Sequence, residues 1–229
     1  MNQFLYDKRY NCLACNEEFT TKKVRSNKAR VVRQDSDLCA YFEPINPYYY
    51  EINVCPYCGW AFSDSFTPFS PAQKQTVYDT YSRYILKGPP QLCDVRGEQE
   101  AIYAFKLALG AGYIKREQLK YLAGICMRIA WLHRQGNRPD KEKEFLVAAC
   151  RFFTVAYETQ LDDDDTAYFL HMLAETNLRL GRIPQARRWF SQLFSPRAML
   201  IIVLLKQLEK LGLLTGSSKR DRRLNNDCS

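Results

Sequence analysis

The pattern of hydrophobic and polar positions changes near residue 65 of this 229-residue chain. Before that point, apolar residues come in short, aromatic-rich runs that turn residues interrupt, which favours strands and loops. After Pro71, apolar residues recur every three or four positions, which is the period of a helix that buries one face. The sequence therefore predicts a mainly α protein with a small β-containing module at its start.

Within the first region, residues 48–54 have the tyrosine-rich composition of a strand, and residues 28–33 are a weaker strand candidate. Residues 43–47 are predicted as a loop, because each proline fixes its own φ and keeps the preceding residue out of a helix. A linker over 63–71 then ends in a helix start, with Ser70 as the cap and Pro71 as the first helical residue.

Beyond the linker, glycine and proline divide the chain into seven predicted helices. They cover residues 71–87, 97–111, 115–136, 139–160, 164–181, 184–194 and 196–214. We therefore expect a module over residues 1–66, a stack of antiparallel helical hairpins over 71–214, and a basic, flexible tail over 215–229.

A signature of glycine, alanine, aromatic residue and further apolar residue recurs along the helices. The copies are Gly88, Ala101, Phe105 and Ala108; Gly136, Ala149, Phe153 and Ala156; and Gly181, Ala186, Phe190 and Leu193. The glycine would end one helix in a conformation that a Cβ disfavours, and the alanine would let the next helix approach closely. The third copy resembles a tetratricopeptide repeat, but the first two have eight extra residues between the helices. The alternative to a true repeat is that amphipathic helices produce this spacing by chance. Both interpretations predict a stack of antiparallel helical hairpins.

Two Cys-x-x-Cys pairs give the strongest chemical signal. The pairs are Cys12 with Cys15 and Cys55 with Cys58. Asn16 and Gly59 follow them, and both residue types tolerate the positive φ that a zinc knuckle needs. A phenylalanine also follows each pair, at positions 19 and 62. Two such knuckles supply four thiolates, which predicts one structural Zn²⁺ per chain in a zinc-ribbon-like module.

Other uses of these cysteines stay open, namely a redox pair, an iron–sulfur cluster or inert structural thiols. Cys39 could replace one ligand, although it has no partner at knuckle spacing. Cys126 and Cys150 lie on apolar helix faces and are expected in the core. The 39 residues between the two pairs exceed the spacing of a compact ribbon, which predicts an inserted hairpin or loop.

The charge of the chain is +8 and is unevenly placed. Residues 34–70 contain acids and no base, while a basic stretch without any acid precedes them. That stretch contains Lys22, Lys23, Arg25, Lys28, Arg30 and Arg33. The two stretches could face each other as solvated strands or loops, or the basic one could bind anions. The apolar runs are too short to span a bilayer, and the first residues lack a secretory pattern, so we expect a cytoplasmic protein without membrane insertion.

Four large aromatic residues crowd the boundary between the two regions. They are Trp60, Phe62, Phe66 and Phe69. A free linker would be polar or rich in glycine and serine, so we expect this segment to dock onto the first helix near Tyr78, Tyr81 and Ile85. The alternative is that the aromatic residues only complete the module's own small core.

Catalytic signals are weak. The common nucleotide-binding, hydrolase and metalloprotease motifs do not occur, and His133 and His171 lie mid-helix, where a structural role is favoured. The acidic run at residues 162–165 fits a helix start better than a Ca²⁺ loop. A non-enzymatic role is therefore favoured, and the case for an enzyme stays uncertain.

The chain resembles the DUF2225 family of uncharacterised bacterial proteins. The resemblance rests on the first cysteine pair and on residues 19–26, 30–37, 43–50 and 54–59. Two departures are Cys39-Ala40, where the family pattern has Cys-Pro, and Pro44, where it has glycine. The resemblance implies the metal site and the helical remainder, and it brings no established activity.

Three functions remain as hypotheses. The first is a scaffold that binds a protein partner through a helical-repeat surface. The second is nucleic-acid binding through the basic 22–33 stretch, helped by the basic tail. The third is an enzyme that uses polar residues of the 30–50 loop, such as Arg30, Asp35, Asp37 and Asn46. The sequence leaves the partner and the oligomeric state open.

Overall fold

A computed structural model describes residues 3–84, 88, 90–159 and 165–194. Within these ranges the chain is mainly helical, with three two-stranded antiparallel sheets near its start. The strands are β1 (Leu5–Asn11), β2 (Glu18–Val24), β3 (Arg30–Gln34), β4 (Ala40–Glu43), β5 (Asn53–Val54) and β6 (Ala61–Phe62). The helices are α1 (Pro71–Tyr84), α2 (Glu98–Lys115), α3 (Leu119–Gln135), α4 (Pro139–Thr159), α5 (Thr166–Arg179) and α6 (Ile183–Leu193).

The six helices agree with six of the seven predicted segments to within a few residues at each end. Pro71 begins α1, as predicted. The seventh predicted helix, over 196–214, and the predicted tail lie outside the described residues.

The strand predictions were less accurate. Residues 47–50 form a 3₁₀ turn instead of a strand, and only Asn53–Val54 pairs as β5. The turn forms because Pro47 opens it and the side chain of Asn46 accepts a hydrogen bond from the backbone N–H of Tyr48 at 3.1 Å. The weaker candidate at 28–33 is shifted, since β3 begins at Arg30 after a short turn over Ser26–Lys28.

Three hairpins make up the β-containing region. β1 pairs with β2 from Leu5 opposite Val24 to Asn11 opposite Glu18, and β5 pairs with β6. Between these two hairpins, β3 pairs with β4 through a register that shifts between Val31 and Arg33. This middle hairpin occupies the long gap between the cysteine pairs, so the inserted hairpin predicted from the spacing is confirmed.

Consecutive helices from α2 to α6 pack against one another. Gly181 has a φ of 74° in the turn before α6, as expected for a glycine that ends a helix. Gly136 was predicted to do the same, but its φ is −87°, and Asn137 takes the positive φ of 54° instead. A Cβ on Gly136 would lie 2.5 Å from Nη2 of Arg138, so this glycine makes room for a side chain.

The alanine of the second copy is fully buried in α4. Ala149→Trp is therefore expected to lower the free energy of unfolding by about 1–3 kcal/mol through overpacking. Val155 lies on the same helix and is 45% exposed, so Val155→Trp serves as the matched control with little change. Thermal unfolding followed by circular dichroism measures both, and equal melting temperatures would contradict the buried position of Ala149.

The aromatic boundary segment packs against the first helices, as predicted. Trp60 is fully buried, its ring centroid is 4.8 Å from that of Tyr81, and the Tyr81 hydroxyl donates to the carbonyl of Gly59 at 2.9 Å. Tyr78 lies within α1, but its side chain, like residue Ile85, is not among the parts of the chain that the structure describes. Phe62 instead packs inside the module, 6.4 Å from Phe19.

The buried residues of both regions belong to one hydrophobic cluster. A buried ion pair between Lys115, the last residue of α2, and Glu117 also holds the linker. The backbone N–H of Thr67 donates to Glu117 at 3.1 Å. The module is thus joined to the helices by apolar packing and by buried polar contacts.

Candidate metal centre

The four predicted ligands lie together, because each cysteine pair occupies the turn of one hairpin. Cys12 and Cys15 lie between β1 and β2, and Cys55 and Cys58 lie between β5 and β6. All four Sγ atoms are within 4.8 Å of one another. The fold thus brings two distant stretches of sequence to one four-sulfur cluster.

The two turns repeat the same backbone hydrogen bonds. The N–H of Asn16 donates to the carbonyl of Cys12 at 3.0 Å, and the N–H of Gly59 donates to that of Cys55 at 2.8 Å. Asn16 has a φ of 64° and Gly59 a φ of 73°. Both positive φ values were predicted from the sequence, and the structure confirms them.

The sulfur distances fit a shared ion. Cys12 Sγ lies 3.5 Å from Cys58 Sγ, and Cys15 Sγ lies 3.7 Å from Cys55 Sγ. A tetrahedral Zn²⁺ with bonds of about 2.3 Å has sulfur–sulfur edges of about 3.8 Å. A disulfide would need about 2.05 Å. The cluster therefore has the size of a tetrahedral four-thiolate metal site.

Hydrogen bonds between the sulfurs separate their pKa values. Hydrogen bonds from Cys12 and then Cys58 lower the pKa of Cys55 to about 2. The hydrogen bond with Cys55 raises the pKa of Cys12 to about 12, and the one with Cys12 raises the pKa of Cys58. Metal binding requires deprotonated cysteines, so a bound cation would stabilise the thiolate form of all four.

Aromatic packing joins the two hairpins around the cluster. Phe19 and Phe62 are nearly buried and meet edge to face, and Tyr10 stacks on Phe19 with ring centroids 6.0 Å apart. Cys39 lies apart from the cluster, where Gln135 Nε2 approaches its sulfur at 3.7 Å and burial raises its thiol pKa to about 11.

The sequence matches the family described as "Uncharacterized protein conserved in bacteria (DUF2225)" over residues 5–208. The match covers most of the chain. The chain belongs to the DUF2225 family. No curated protein matches this DUF2225 chain, and no solved structure matches it. Among the residues that the structure describes, its helices are all too short or too polar to cross a membrane.

In this DUF2225 protein, the acids of the 30–50 loop hold the module to the helices. Asp37 is fully buried and accepts hydrogen bonds from Arg134 Nη2 at 2.7 Å and Trp131 Nε1 at 3.1 Å. Arg179 Nε forms a further ion pair with it at 2.9 Å. Asp35 also contacts Arg134, at 2.9 Å. Two acids of the β3–β4 turn therefore meet two arginines of α3 and α5.

Other loop residues make similar contacts with the helices. Asn46 donates to Gln135 Oε1 at 2.8 Å, and Ser36 donates to Glu175 at 2.7 Å. His171 contacts the carbonyl of Ser36 through Nε2 at 2.8 Å. Asp35, Asp37 and Asn46, which the enzyme hypothesis singled out, thus lie at a structural interface. Arg30 is instead exposed on β3.

The six predicted anion-binding residues have different surroundings. Lys22 pairs with Asp7 at 2.9 Å, Lys23 donates to the carbonyl of Tyr50 at 2.7 Å, and Arg33 lies over the ring of Tyr41. Burial lowers the pKa of Lys23 to about 8. Arg25 lies over the ring of Tyr6, and Lys28 and Arg30 are exposed. The stretch is thus divided between structural contacts and exposed charge.

Where the structure describes them, the other cysteines, histidines and acids considered from the sequence are engaged in packing or in contacts within the protein. Cys126 and Cys150 are buried, as predicted. His133 accepts a hydrogen bond from Arg138 Nε through Nδ1 at 2.9 Å, and burial lowers its pKa. Asp165 precedes α5 and pairs with Lys120 at 2.9 Å, whereas residues 162–164 lie outside the described residues.

Proposed function

We propose that the four cysteines hold one Zn²⁺ per chain in a closed structural site. Two sulfur contacts support it, because they join the two cysteine pairs, from Cys12 to Cys58 at 3.5 Å and from Cys15 to Cys55 at 3.7 Å. A redox disulfide would instead form within a Cys-x-x-Cys pair. Four thiolates also leave zinc no open position for a substrate. The ion would fasten two hairpins rather than carry out chemistry.

We propose further that the protein is a cytoplasmic scaffold for a protein partner. The observation that carries this proposal is that the module packs on the helices through buried contacts. These involve Asp37, Trp60 and the Lys115–Glu117 pair. This packing fixes the orientation of the module relative to the helices, so a partner can contact surfaces of both regions at once. Exposed aromatic side chains such as Tyr113, at 69% exposure, offer apolar contact area on the helical side. In this proposal the hairpins work as tetratricopeptide-like repeats.

Nucleic-acid binding is the second candidate, and the exposed Lys28 and Arg30 favour it. Lys22, Lys23 and Arg33 count against it, because contacts within the protein already engage them. The charge available to phosphates is therefore smaller than the sequence suggested, and a protein partner remains the better supported proposal.

Photo-crosslinking in the native cells tests the two candidates. Benzoylphenylalanine replaces one residue at a time: Tyr113 on α2, Tyr121 beside the junction with the module, Arg30 on β3, and the exposed Lys141 as control. A scaffold is expected to give discrete protein adducts at Tyr113 or Tyr121 and background at Lys141.

The crosslinking experiment can also contradict the proposed scaffold function. Protein adducts no stronger at Tyr113 and Tyr121 than at Lys141 would reject it. Nuclease-sensitive adducts at Arg30 would support nucleic-acid binding instead.

A further inference from the structure

A groove runs along the junction between the module and the helices. Two cavities there, of about 390 and 440 Å³, adjoin each other and share four lining residues, and together they form an elongated depression. The shared residues are Glu51, Ser63, Ser65 and Arg128. We call this depression the junction groove. Its walls come from the module on one side and from α3 and α5 on the other.

Gly124, within α3, lines the junction groove. Glycine is among the least favourable residues in the interior of a helix. Neither backbone conformation nor packing requires it here, since its φ is not positive and an added Cβ would meet no atom within 4 Å. Gly112 in α2 is different, because a Cβ there would lie 2.7 Å from Leu122. The lack of a side chain at Gly124 therefore has one structural effect, which is to keep the groove open.

The charges along the junction groove are arranged as partly exposed ion pairs. Arg128 pairs with Glu51 at 3.0 Å, and Lys120 pairs with Asp165 at 2.9 Å. Both of these cations thus have a carboxylate beside them, and so does Lys8, which pairs with Asp64 at 3.3 Å. Lys23 also lines the groove, but it donates to the backbone carbonyl of Tyr50 at 2.7 Å. A phosphate backbone would meet those carboxylates as well as the cations, whereas a polypeptide can present amides and charges of both signs.

The two ends of the junction groove differ in character. Around Gly124 the lining includes Phe105, Ile125 and Tyr168, which suit an apolar or aromatic side chain. At the other end, a further cavity of about 700 Å³ shares Tyr6 and Val24 with the groove. Arg25 and Lys28 line this cavity, and its lining contains no acid among the residues that the structure describes. That end therefore suits acidic residues.

We propose that the junction groove binds an extended, acidic peptide segment of a partner protein. An apolar or aromatic side chain of the segment lies over Gly124, and its acidic residues face Arg25 and Lys28. The proposal rests on the proposed scaffold function and assigns it a site and a partner chemistry. It can fail alone, because Tyr113 lies outside the groove and protein adducts confined to that position would leave the scaffold standing.

Two substitutions at one position provide the test. Gly124→Leu places a large side chain in the junction groove, starting from a Cβ that meets no atom within 4 Å. Gly124→Ala raises the helix propensity as Gly124→Leu does, but it adds only one methyl group. A random peptide library displayed on phage is panned against the metal-loaded, full-length protein. The affinities of the enriched peptides, made synthetically, are measured for all three proteins by fluorescence anisotropy. Melting temperatures confirm that both variants fold.

The expected peptides combine acidic residues with an aromatic or large apolar one. Gly124→Leu is expected to weaken their binding at least about tenfold, as loss of a central contact does, and Gly124→Ala to leave it within about twofold. The double variant Arg25→Glu/Lys28→Glu is expected to weaken the same peptides. Equal binding by wild type and Gly124→Leu would overturn the proposal. A library that enriches no peptide would also overturn it. If the protein binds oligo(dT) or oligo(rU) and Gly124→Leu abolishes that binding, the occupant is a nucleic acid and the proposal is wrong.

Discussion

Replacing Asp37 with asparagine is expected to lower the free energy of unfolding by about 3–5 kcal/mol, because it removes one partner of a buried ion-pair network. The carboxylate of Asp37 is fully buried and pairs with both Arg134 and Arg179. Without its charge, the two arginines would keep only Asp35 as an acidic neighbour in the β3–β4 turn.

The same substitution at Asp7 is the matched control. Asp7 pairs with Lys22 at 2.9 Å, but its side chain is 57% exposed. Exposed pairs contribute about 0–1 kcal/mol, so Asp7→Asn is expected to change stability little. Urea unfolding measures both variants. Equal effects at the two positions would show that the Asp37 network does not stabilise the fold.

The Asp37 network also predicts how stability depends on pH. Burial alone would raise the pKa of Asp37, but the hydrogen bonds and charge of Arg134 outweigh it and lower the pKa. Stability from a lowered carboxyl pKa is present above the unfolded-state value of about 3.9 and is lost as the pH falls through the folded-state value. Below pH of about 4, the wild type is expected to lose stability more steeply than Asp37→Asn.

Cys55→Ser is expected to lose the metal and to destabilise the helices as well as the module. Structural zinc contributes about 10–16 kcal/mol of apparent binding free energy in zinc-finger peptides, so its loss can unfold the cysteine hairpins. Because Trp60 follows this cysteine pair and packs against Tyr81 of α1, disorder there would expose part of the shared core. The melting temperature of the helical signal should therefore fall.

Cys93→Ser is the control for this prediction. Cys93 is only partly buried and lies outside the four-sulfur cluster, where its thiol donates to the carbonyl of Val54 at 3.4 Å. Elemental analysis by mass spectrometry should find one zinc per chain in wild type and Cys93→Ser, and none in Cys55→Ser. Zinc retained by Cys55→Ser, or a helical melting temperature equal to that of wild type, would contradict the prediction.

The metal cluster could be predicted because its signal is local. The two-residue spacing fixes each knuckle, and Asn16 and Gly59 stand where the backbone needs a positive φ. The helices were also predictable, since apolar residues recur at helical spacing along them and glycine or proline stands between them. In contrast, β1 buries only Leu5 fully, so its sequence lacks the alternation that marks a strand.

The Asp37 network could not be predicted, because its members are far apart in sequence. Arg134 and Arg179 lie 97 and 142 residues beyond Asp37, and each has the pattern of a solvated surface charge. One signal did point toward it. Residues 34–70 contain acids without a single base, which implies that any cationic partners must come from another part of the chain.

The long separation of Asp37 from Arg179 also sets an order of events during synthesis. The two cysteine hairpins are complete once Phe62 has left the ribosome, whereas Arg179 follows about 120 residues later. At about 5–20 residues per second, that interval is on the order of ten seconds. During that time the β3–β4 turn has no arginine from α5 to bind. Until Arg179 emerges, Asp37 can pair with Arg134 of α3 but not with α5, so the network that joins the β3–β4 turn to the helices is completed only after α5 has been made.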